Sequence, residues 1–495
     1  MTRAALLWLA LVLLAAADSP QQPATTLIRG ASVVDGTGRA AQRADVRVSG
    51  DRITAVGQLS PTPGERIVDA GGLTLAPGFI DTHSHHDRGL DAAPDALAMV
   101  SQGVTTIVVG QDGGGSNLAA LFGGLQQHPA SVNVASYAGH GAIRRRVMGD
   151  DFKRHATAAE VDRMKALVKT EMDAGALGLS TGLEYDPGIY SSREEVLALA
   201  KVAADAGGRY ISHLRSEDRT FWDALDELIA IGRTNRMPVQ VSHVKLGMHD
   251  LWGQAEKLIA TLDRARASGV QLTADIYPYT YWQSNLGVLY PKRNFADAAE
   301  TEFVLAHVSM AEDIIINSSP AHPDYVGKTI ADVARLRGQT NARTLMDLLA
   351  EPRGESIGVV AKGMSDADVE RLIQWPFANV CSDGMSSGLH PRGFGSFAKV
   401  LGPFVRDRKL FSLEEAVRKM TSLAAANVGI RNRGRIAQGD FADLVLFDRT
   451  IVADRADFDH AQEQAVGIRT VWINGQVVFE SGKPTGIHAG RPLRR

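Results

Sequence analysis

The stretch Leu75-Ala76-Pro77-Gly78-Phe79-Ile80-Asp81-Thr82-His83-Ser84-His85-His86-Asp87 decides the reading of this chain. Its apolar run through Phe79 and Ile80 predicts a buried strand. Side chains on a strand alternate faces, so His83 and His85, two residues apart, project the same way from its C-terminal end. Two neutral imidazoles at that spacing can bind one divalent transition metal. An HxH pair alone occurs in many ordinary loops; an HxH pair following an apolar strand, with Pro77-Gly78 just before it, is a much more specific signal.

Working outward, the same texture recurs. Short apolar strands are predicted to end near His85, Asp112, His140, Glu184, His213, His243, Tyr277 and Asp383. Amphipathic helical patterns such as 193–206 and 255–267 separate most of them. Alternating strands and helices predict a parallel sheet, and eight such units predict a (β/α)8 TIM-type barrel. The stretch between Tyr277 and Asp383 is far longer than one unit needs, and about 283–350 is expected to be an insertion at the barrel mouth, the usual place for a lid or substrate wall.

The two ends of the chain differ from the middle. Asp45-Val46-Arg47-Val48-Ser49 alternates and turns at Gly50-Asp51 before Ile53. Near the C-terminus, 442–447 reads as an apolar strand, and Val471-Trp472-Ile473, Asn474-Gly475, Gln476-Val477-Val478-Phe479 reads as a hairpin with a type I′ turn. One small β-sandwich or β-barrel domain built from both termini is expected, from 24–75 and 431–487, flanking a catalytic unit over 76–430.

Residues 1–17 carry Arg3, an unbroken apolar run over 4–17 and Ala15-Ala16-Ala17 before Asp18. This is the layout of a cleavable signal peptide. The run is short for a membrane span and no cysteine follows it, so no stable membrane anchor is expected. A secreted protein is expected, periplasmic if the source is Gram-negative. The single cysteine, Cys381, excludes an intrachain disulfide and reads as structural. With 495 residues, 44% of them hydrophobic, and a formal net charge of -3, the chain can bury a large core and gives no support for nucleic-acid binding.

In a barrel, the C-terminal ends of the strands converge on one face. Ile211-Ser212-His213 and Val241-Ser242-His243 are near-identical strand endings, so His213 and His243 add a third and fourth imidazole. Val380-Cys381-Ser382-Asp383-Gly384 ends the last strand. An aspartate there can take a proton from an attacking water and return it to a leaving amine. A binding barrel without catalysis is the reading from another class, and Asp383 beside four imidazoles argues against it.

These motifs in this order resemble the amidohydrolase superfamily, and more closely its N-acyl-D-amino-acid deacylase (D-aminoacylase) family. The resemblance spans nearly all of the chain beyond the leader. It includes Asp35-Gly36-Thr37-Gly38, Gly103-Val104-Thr105-Thr106, Gly182-Leu183-Glu184-Tyr185-Asp186-Pro187-Gly188, Asp275-Ile276-Tyr277-Pro278-Tyr279-Thr280 and His390-Pro391-Arg392. It implies hydrolysis of the amide of a small N-acyl-D-amino acid at one or two zinc ions, with manganese or cobalt as alternatives. His83 and His85 would hold the more buried metal, His213 and His243 the other, and Asp383 would be the acid/base. A related activity on D-containing dipeptides, or on cyclic amides as in dihydroorotases and hydantoinases, is the alternative within enzymes.

The chain departs from the family at one ligand. Familiar D-aminoacylases resemble Val-Val-Gly-Asn-Cys-Gly after the second strand, with the cysteine on zinc; here Val108-Val109-Gly110-Gln111-Asp112-Gly113 stands there. Other superfamily members bridge two metals through a carboxylated lysine, but 175–184 contains none. Glu184 is the first candidate for a bridging carboxylate and Asp112 the second. For the substrate's own carboxylate, Lys245 and Arg392 are candidate cations, and Tyr185, Tyr277, Tyr279 and Ser284 candidate hydroxyl donors.

Overall fold

Each apolar run preceding a candidate site residue forms a strand in the computed structural model, which describes residues 25–115 and 117–495. The expected leader, 1–17, lies outside the described residues. Phe79–Asp81, Val104–Val109 and Asn133–Ser136 pair in parallel in that order. The last of these is interrupted at Tyr137 and resumes as Ala138–Gly139, which pairs with Gly178–Gly182. Parallel pairing then runs on through Arg209–His213, Val239–Val241, Leu272–Ile276 and Ala378–Val380. Just past the first and last of these strands, a parallel bridge joins Ser84 to Gly384. Asp383 N–H donates to His83 O at 2.8 Å and His85 N–H to Gly384 O at 3.0 Å.

Parallel neighbours need a crossover, and helices supply it. Arg193–Asp205 buries Val196, Leu199, Ala200 and Ala203, an i, i+3, i+4, i+7 stripe, and Ser192 caps its first turn. Ala158–Asp173 opens with a Thr157–Glu160 capping box. Strands covered by such helices on one side and by each other's side chains on the other are buried on both faces, so they read as unbroken apolar runs rather than alternating ones. Val104–Val109 is buried at every position.

Between Leu272–Ile276 and Ala378–Val380 the chain builds a separate antiparallel sheet. Gly358–Lys362 is its central strand, flanked by Tyr281–Asn285 and Ile314–Ser318. The added segment thus runs over 281–362 and carries the helices Ile330–Arg337 and Asn341–Ala350.

The two ends of the chain share one nine-stranded sheet. Thr74–Pro77 from the N-terminal part pairs antiparallel with Leu444–Phe447 from the C-terminal part. The hairpin between Ile468–Ile473 and Gln476–Glu480 turns through Asn474 at φ 50° and Gly475 at φ 78°. Two consecutive positive φ angles are what a type I′ turn requires, and Asn-Gly supplies them at least cost. This sheet has its own apolar cluster around Val46, Leu75, Leu444 and Trp472. No helix among the described residues is long and apolar enough to cross a membrane.

Candidate metal centre

The parallel strands, which form a six-stranded and a three-stranded sheet, bring their terminal residues together. His83 and His85 follow Phe79–Asp81, with ring centroids 5.4 Å apart. Asp112 follows Val104–Val109, Glu184 follows Gly178–Gly182, His213 closes Arg209–His213, and His243 and Asp383 lie just beyond their own strands. Asp112, His243 and Asp383 all adopt left-handed backbone, at φ 53°, 33° and 48°. Non-glycine residues are held there only when the surroundings over-determine them, and such positions gather at functional sites.

The side chains converge. Asp112 Oδ1 lies 3.4 Å from Nε2 of both His83 and His243, and its Oδ2 lies 3.3 Å from His85 Nε2. Asp383 Oδ1 lies 3.2 Å from His85 Nε2 and 3.5 Å from His83 Nε2. Its other oxygen accepts from Arg392 Nη1 at 2.6 Å. Glu184 accepts from His213 Nε2 at 2.9 Å, and the Tyr185 ring packs 4.3 Å from the His213 ring. The resemblance makes Glu184, at the end of the fourth strand, the first candidate for the bridging carboxylate and Asp112 the second. Asp112 reaches both pairs, whereas Glu184 sits to one side against His213 and the backbone N–H of Glu217.

Whether a cation fits can be read from the donors. Both ring nitrogens of His83 and Asp112 Oδ1 are buried without a hydrogen-bond partner, a cost a protein tolerates only when something else satisfies those atoms. His83, His85, Asp112 and Asp383 offer one ligand atom each within 4.8 Å of one another. The set is nitrogen and carboxylate oxygen without sulfur, suited to zinc, manganese or cobalt.

The titrations fit the same reading. Burial alone would push the His85 and His243 imidazoles down. For His85 the Asp112 and Asp383 carboxylates outweigh it and raise the group to about 9. His243, pushed down by Lys245 as well, is lifted to about 10 by Glu217, Asp383 and Asp112. Asp112 and Asp383 are buried, yet the imidazoles around the first, and Arg392 and His243 around the second, hold both far below the usual carboxylate range. The carboxylates thus favour the protonated forms of His85 and His243.

Lys245 Nζ donates to Glu217 Oε2 at 2.7 Å and sits 2.6 Å from His243 Nδ1. Lys245 and Arg392 both lie over the Tyr277 ring, at 6.0 and 4.8 Å, and the buried Tyr277 hydroxyl has no partner. Ser284 lines the space above the cluster. Tyr279 does not join this group. Past Pro278 its ring turns outward to a different cavity, under Lys399 at 3.9 Å and with its hydroxyl 3.5 Å from Asp454. Cys381 is buried against Asp275 at 3.5 Å, as a structural residue would be.

The model of the amidohydrolase family matches residues 66–287 and 328–479. The chain belongs to the amidohydrolase family. Similar relatives include deacylases of N-acyl-D-glutamate and N-acyl-D-aspartate and a D-aminoacylase. The N-acyl-D-glutamate deacylase of Alcaligenes xylosoxydans xylosoxydans is 37% identical, over 96% of this chain and 97% of its own. A D-aminoacylase of the same organism is 35% identical, over 97% and 99%. The crystal structure of N-acyl-D-glutamate deacylase from Bordetella bronchiseptica, complexed with zinc and a phosphonate mimic of the tetrahedral intermediate, superposes with a TM-score of 0.86. It is 35% identical and covers 95% of this chain and 99% of that one.

Two carboxylates of this amidohydrolase escaped the sequence reading. Glu217 lies four residues beyond His213, in a loop with no periodic signal, and returns to contact His243 Nδ1 at 3.1 Å. Asp275 lies 3.8 Å behind His83 Nδ1 and accepts from the His243 backbone N–H at 2.5 Å and Gln240 Nε2 at 2.6 Å. An aspartate inside the apolar run Leu272–Ile276 was the available signal, because an ionisable group is rarely buried without a task.

Proposed function

We propose that this amidohydrolase hydrolyses the amide bond of N-acyl-D-amino acids, releasing a carboxylate and a free D-amino acid. The observation that carries this reading is the Asp383 carboxylate, set between His85 Nε2 at 3.2 Å and Arg392 at 2.6 Å on the wall of the imidazole cluster. The full-length likeness to deacylases of N-acyl-D-amino acids supports the substrate.

His83, His85 and Asp383 would hold one zinc, or manganese or cobalt, and His213 and His243 a second. We assign the shared position to Asp112 and an outer one to Glu184. A metal held there would supply Lewis-acid polarisation of the scissile carbonyl and lower the pKa of a water. Asp383 accepts the proton of that water as it attacks, then delivers it to the departing nitrogen. Arg392 keeps the carboxylate ionised until the proton arrives. Tyr185, whose hydroxyl is held protonated by burial and by the surrounding carboxylates, donates to the substrate. A guanidinium has five donors and an ammonium three, so Arg392 and Lys245 keep spare N–H groups for the substrate carboxylate above Tyr277.

Architecture supports the same picture. The run of parallel pairings and the Ser84–Gly384 bridge support a closed (β/α)8 barrel over 76–430, and the shared sheet supports a small domain from 24–75 and 431–487. For export to the periplasm the support is the apolar run at 4–17 alone.

The test is to reconstitute the protein with zinc, supply racemic N-acetyl-methionine and resolve the freed amino acid on a chiral column. D-methionine alone is the expected product. L-methionine alone would keep the amidase chemistry and overturn the stereochemistry. No release from this or other N-acyl-D-amino acids, with metal bound, would remove the reading.

A further inference from the structure

The space around Asp383 and Tyr185 divides into two lobes of unlike chemistry. One has an apolar outer wall of Trp282, Val288, Leu289 and Val308, all from the added segment. The other is lined by amides, hydroxyls and the guanidiniums of Arg88 and Arg392, together with His85, Asp112 and Asp383. Tyr185, Gln283, Ser284 and Asp383 border both.

Charge separates the lobes further. Among the described residues lining the apolar lobe, the one lysine or arginine is Lys245, already engaged by Glu217 and His243, and the two imidazoles, His213 and His243, are themselves set against Glu184 and Glu217. Four carboxylates, Glu184, Glu217, Asp218 and Asp383, line the same lobe. The nearby Arg219 is committed to Asp218 and, at 2.5 Å, to Glu300.

Resting on the deacylase reading above, we propose that this lobe receives the side chain of the D-amino acid and selects an uncharged, apolar one. A substrate carboxylate held over Tyr277 between Lys245 and Arg392 places Cα beside Lys245, and its side chain then enters the adjoining lobe. There a methionine, leucine or phenylalanine side chain is buried against Trp282, Val288 and Leu289 at a gain proportional to its apolar area. The side chain of glutamate or aspartate meets four carboxylates and no uncommitted lysine or arginine, and an unpaired buried charge is costly. The acyl group lies in the wider, polar lobe. Sequence identity does not make this choice, since the N-acyl-D-glutamate deacylase and the D-aminoacylase are 37% and 35% identical to this chain; the lining of the lobe makes it.

Two measurements on the zinc-loaded full chain test the assignment. The first is kcat/KM for N-acetyl-D-methionine, -leucine, -glutamate and -aspartate. The apolar pair is expected to exceed the acidic pair by at least about a hundredfold. The second is calorimetric binding of free D-methionine and D-glutamate, expected to favour D-methionine. Val288 is half-buried on the lobe wall, and Val288→Arg, with unchanged zinc content, is expected to shift the ratio toward N-acetyl-D-glutamate. Equal or better turnover of the acidic substrates, or D-glutamate binding as tightly as D-methionine, overturns the proposal. If no acetylated amino acid is hydrolysed while D-methionine still binds better than D-glutamate, the deacylase reading falls and the lobe assignment stands.

Discussion

The Asp112 carboxylate lies 3.4 Å from His243 Nε2 while its other oxygen lies 3.3 Å from His85 Nε2. One side chain from the second strand end therefore serves imidazoles from the first and the sixth. Asp112→Asn keeps the shape and removes the charge. The expected outcome is loss of at least one tightly bound metal per chain and a fall in activity of about a hundredfold or more. Asp112→Cys should retain zinc and lose manganese, because thiolate is the softer ligand. Metal analysis of dialysed protein reads both, and equal retention of both metals by the cysteine variant would contradict the oxygen-bridge argument.

Asp383 is held ionised by Arg392 and sits 3.2 Å from His85 Nε2, where it can exchange a proton with a water entering the cluster. Replacing it with asparagine preserves the hydrogen-bond reach and removes the base. kcat is expected to fall by about 10² to 10⁴, with His83, His85 and Asp112 still holding metal. Metal content and single-turnover rates on the same sample separate loss of the base from loss of the site. A fully active Asp383→Asn enzyme would falsify the assigned role.

The fold was legible because its signal is local. Strands buried on both faces read as apolar runs, and each run here ends at a residue type that chemistry singles out, as in Ile211-Ser212-His213. The I′ hairpin at Asn474-Gly475 was legible for the same reason. Order among the carboxylates was not legible, because it depends on where loops return in space. Asp112 reaches the centre through a left-handed turn between Gly110 and Gly113, and Glu217 arrives from a loop. Tyr277 and Tyr279 look equivalent in sequence, yet the turn at Pro278 sends them to different cavities. The lobe that sorts substrates is walled by the antiparallel sheet of the insertion and its flanking helices, whose partners lie far apart in the chain.

The raised imidazoles make opposite predictions for the metal-free and metal-loaded protein. His85 at about 9 and His243 at about 10 stand above the unfolded value of 6.5. A raised folded-state pKa contributes stability that is fully present below pH 6.5 and is lost as pH climbs through 9 to 10. The chelated protein should therefore melt at progressively lower temperature across that window. Metal needs the neutral imidazoles, so binding releases protons and apparent affinity should rise over the same interval. Thermal melts with and without zinc, stepped in pH, should diverge. Calorimetry in buffers of different ionisation enthalpy should show proton release near neutral pH. Parallel melting curves and no proton release would show that protons do not occupy the metal's place.

The junction between the terminal sheet and the catalytic strands rests on a buried ion pair, and its removal should cost more than any surface change. Asp443 pairs with Arg433, both nearly inaccessible to solvent. Its carboxylate also accepts from Asn133 Nδ2 at 3.1 Å and from the Asn474 backbone N–H at 2.8 Å. Its carbonyl accepts from Gly78 N–H at 2.8 Å, immediately before the strand that carries His83. Asp443→Ala leaves the Arg433 guanidinium buried with only Asn474 Oδ1 at 2.8 Å and the face of Phe441 at 3.9 Å. Breaking such a pair from one side costs about 3–5 kcal/mol, and Tm should drop by several degrees. The double variant Arg433→Met, Asp443→Leu removes both charges, and it should recover part of that loss because nothing charged is left without a partner. Scanning calorimetry of the single and double variants decides the point. A single variant that melts with the parent would show that the two sheets are joined by their apolar contacts alone.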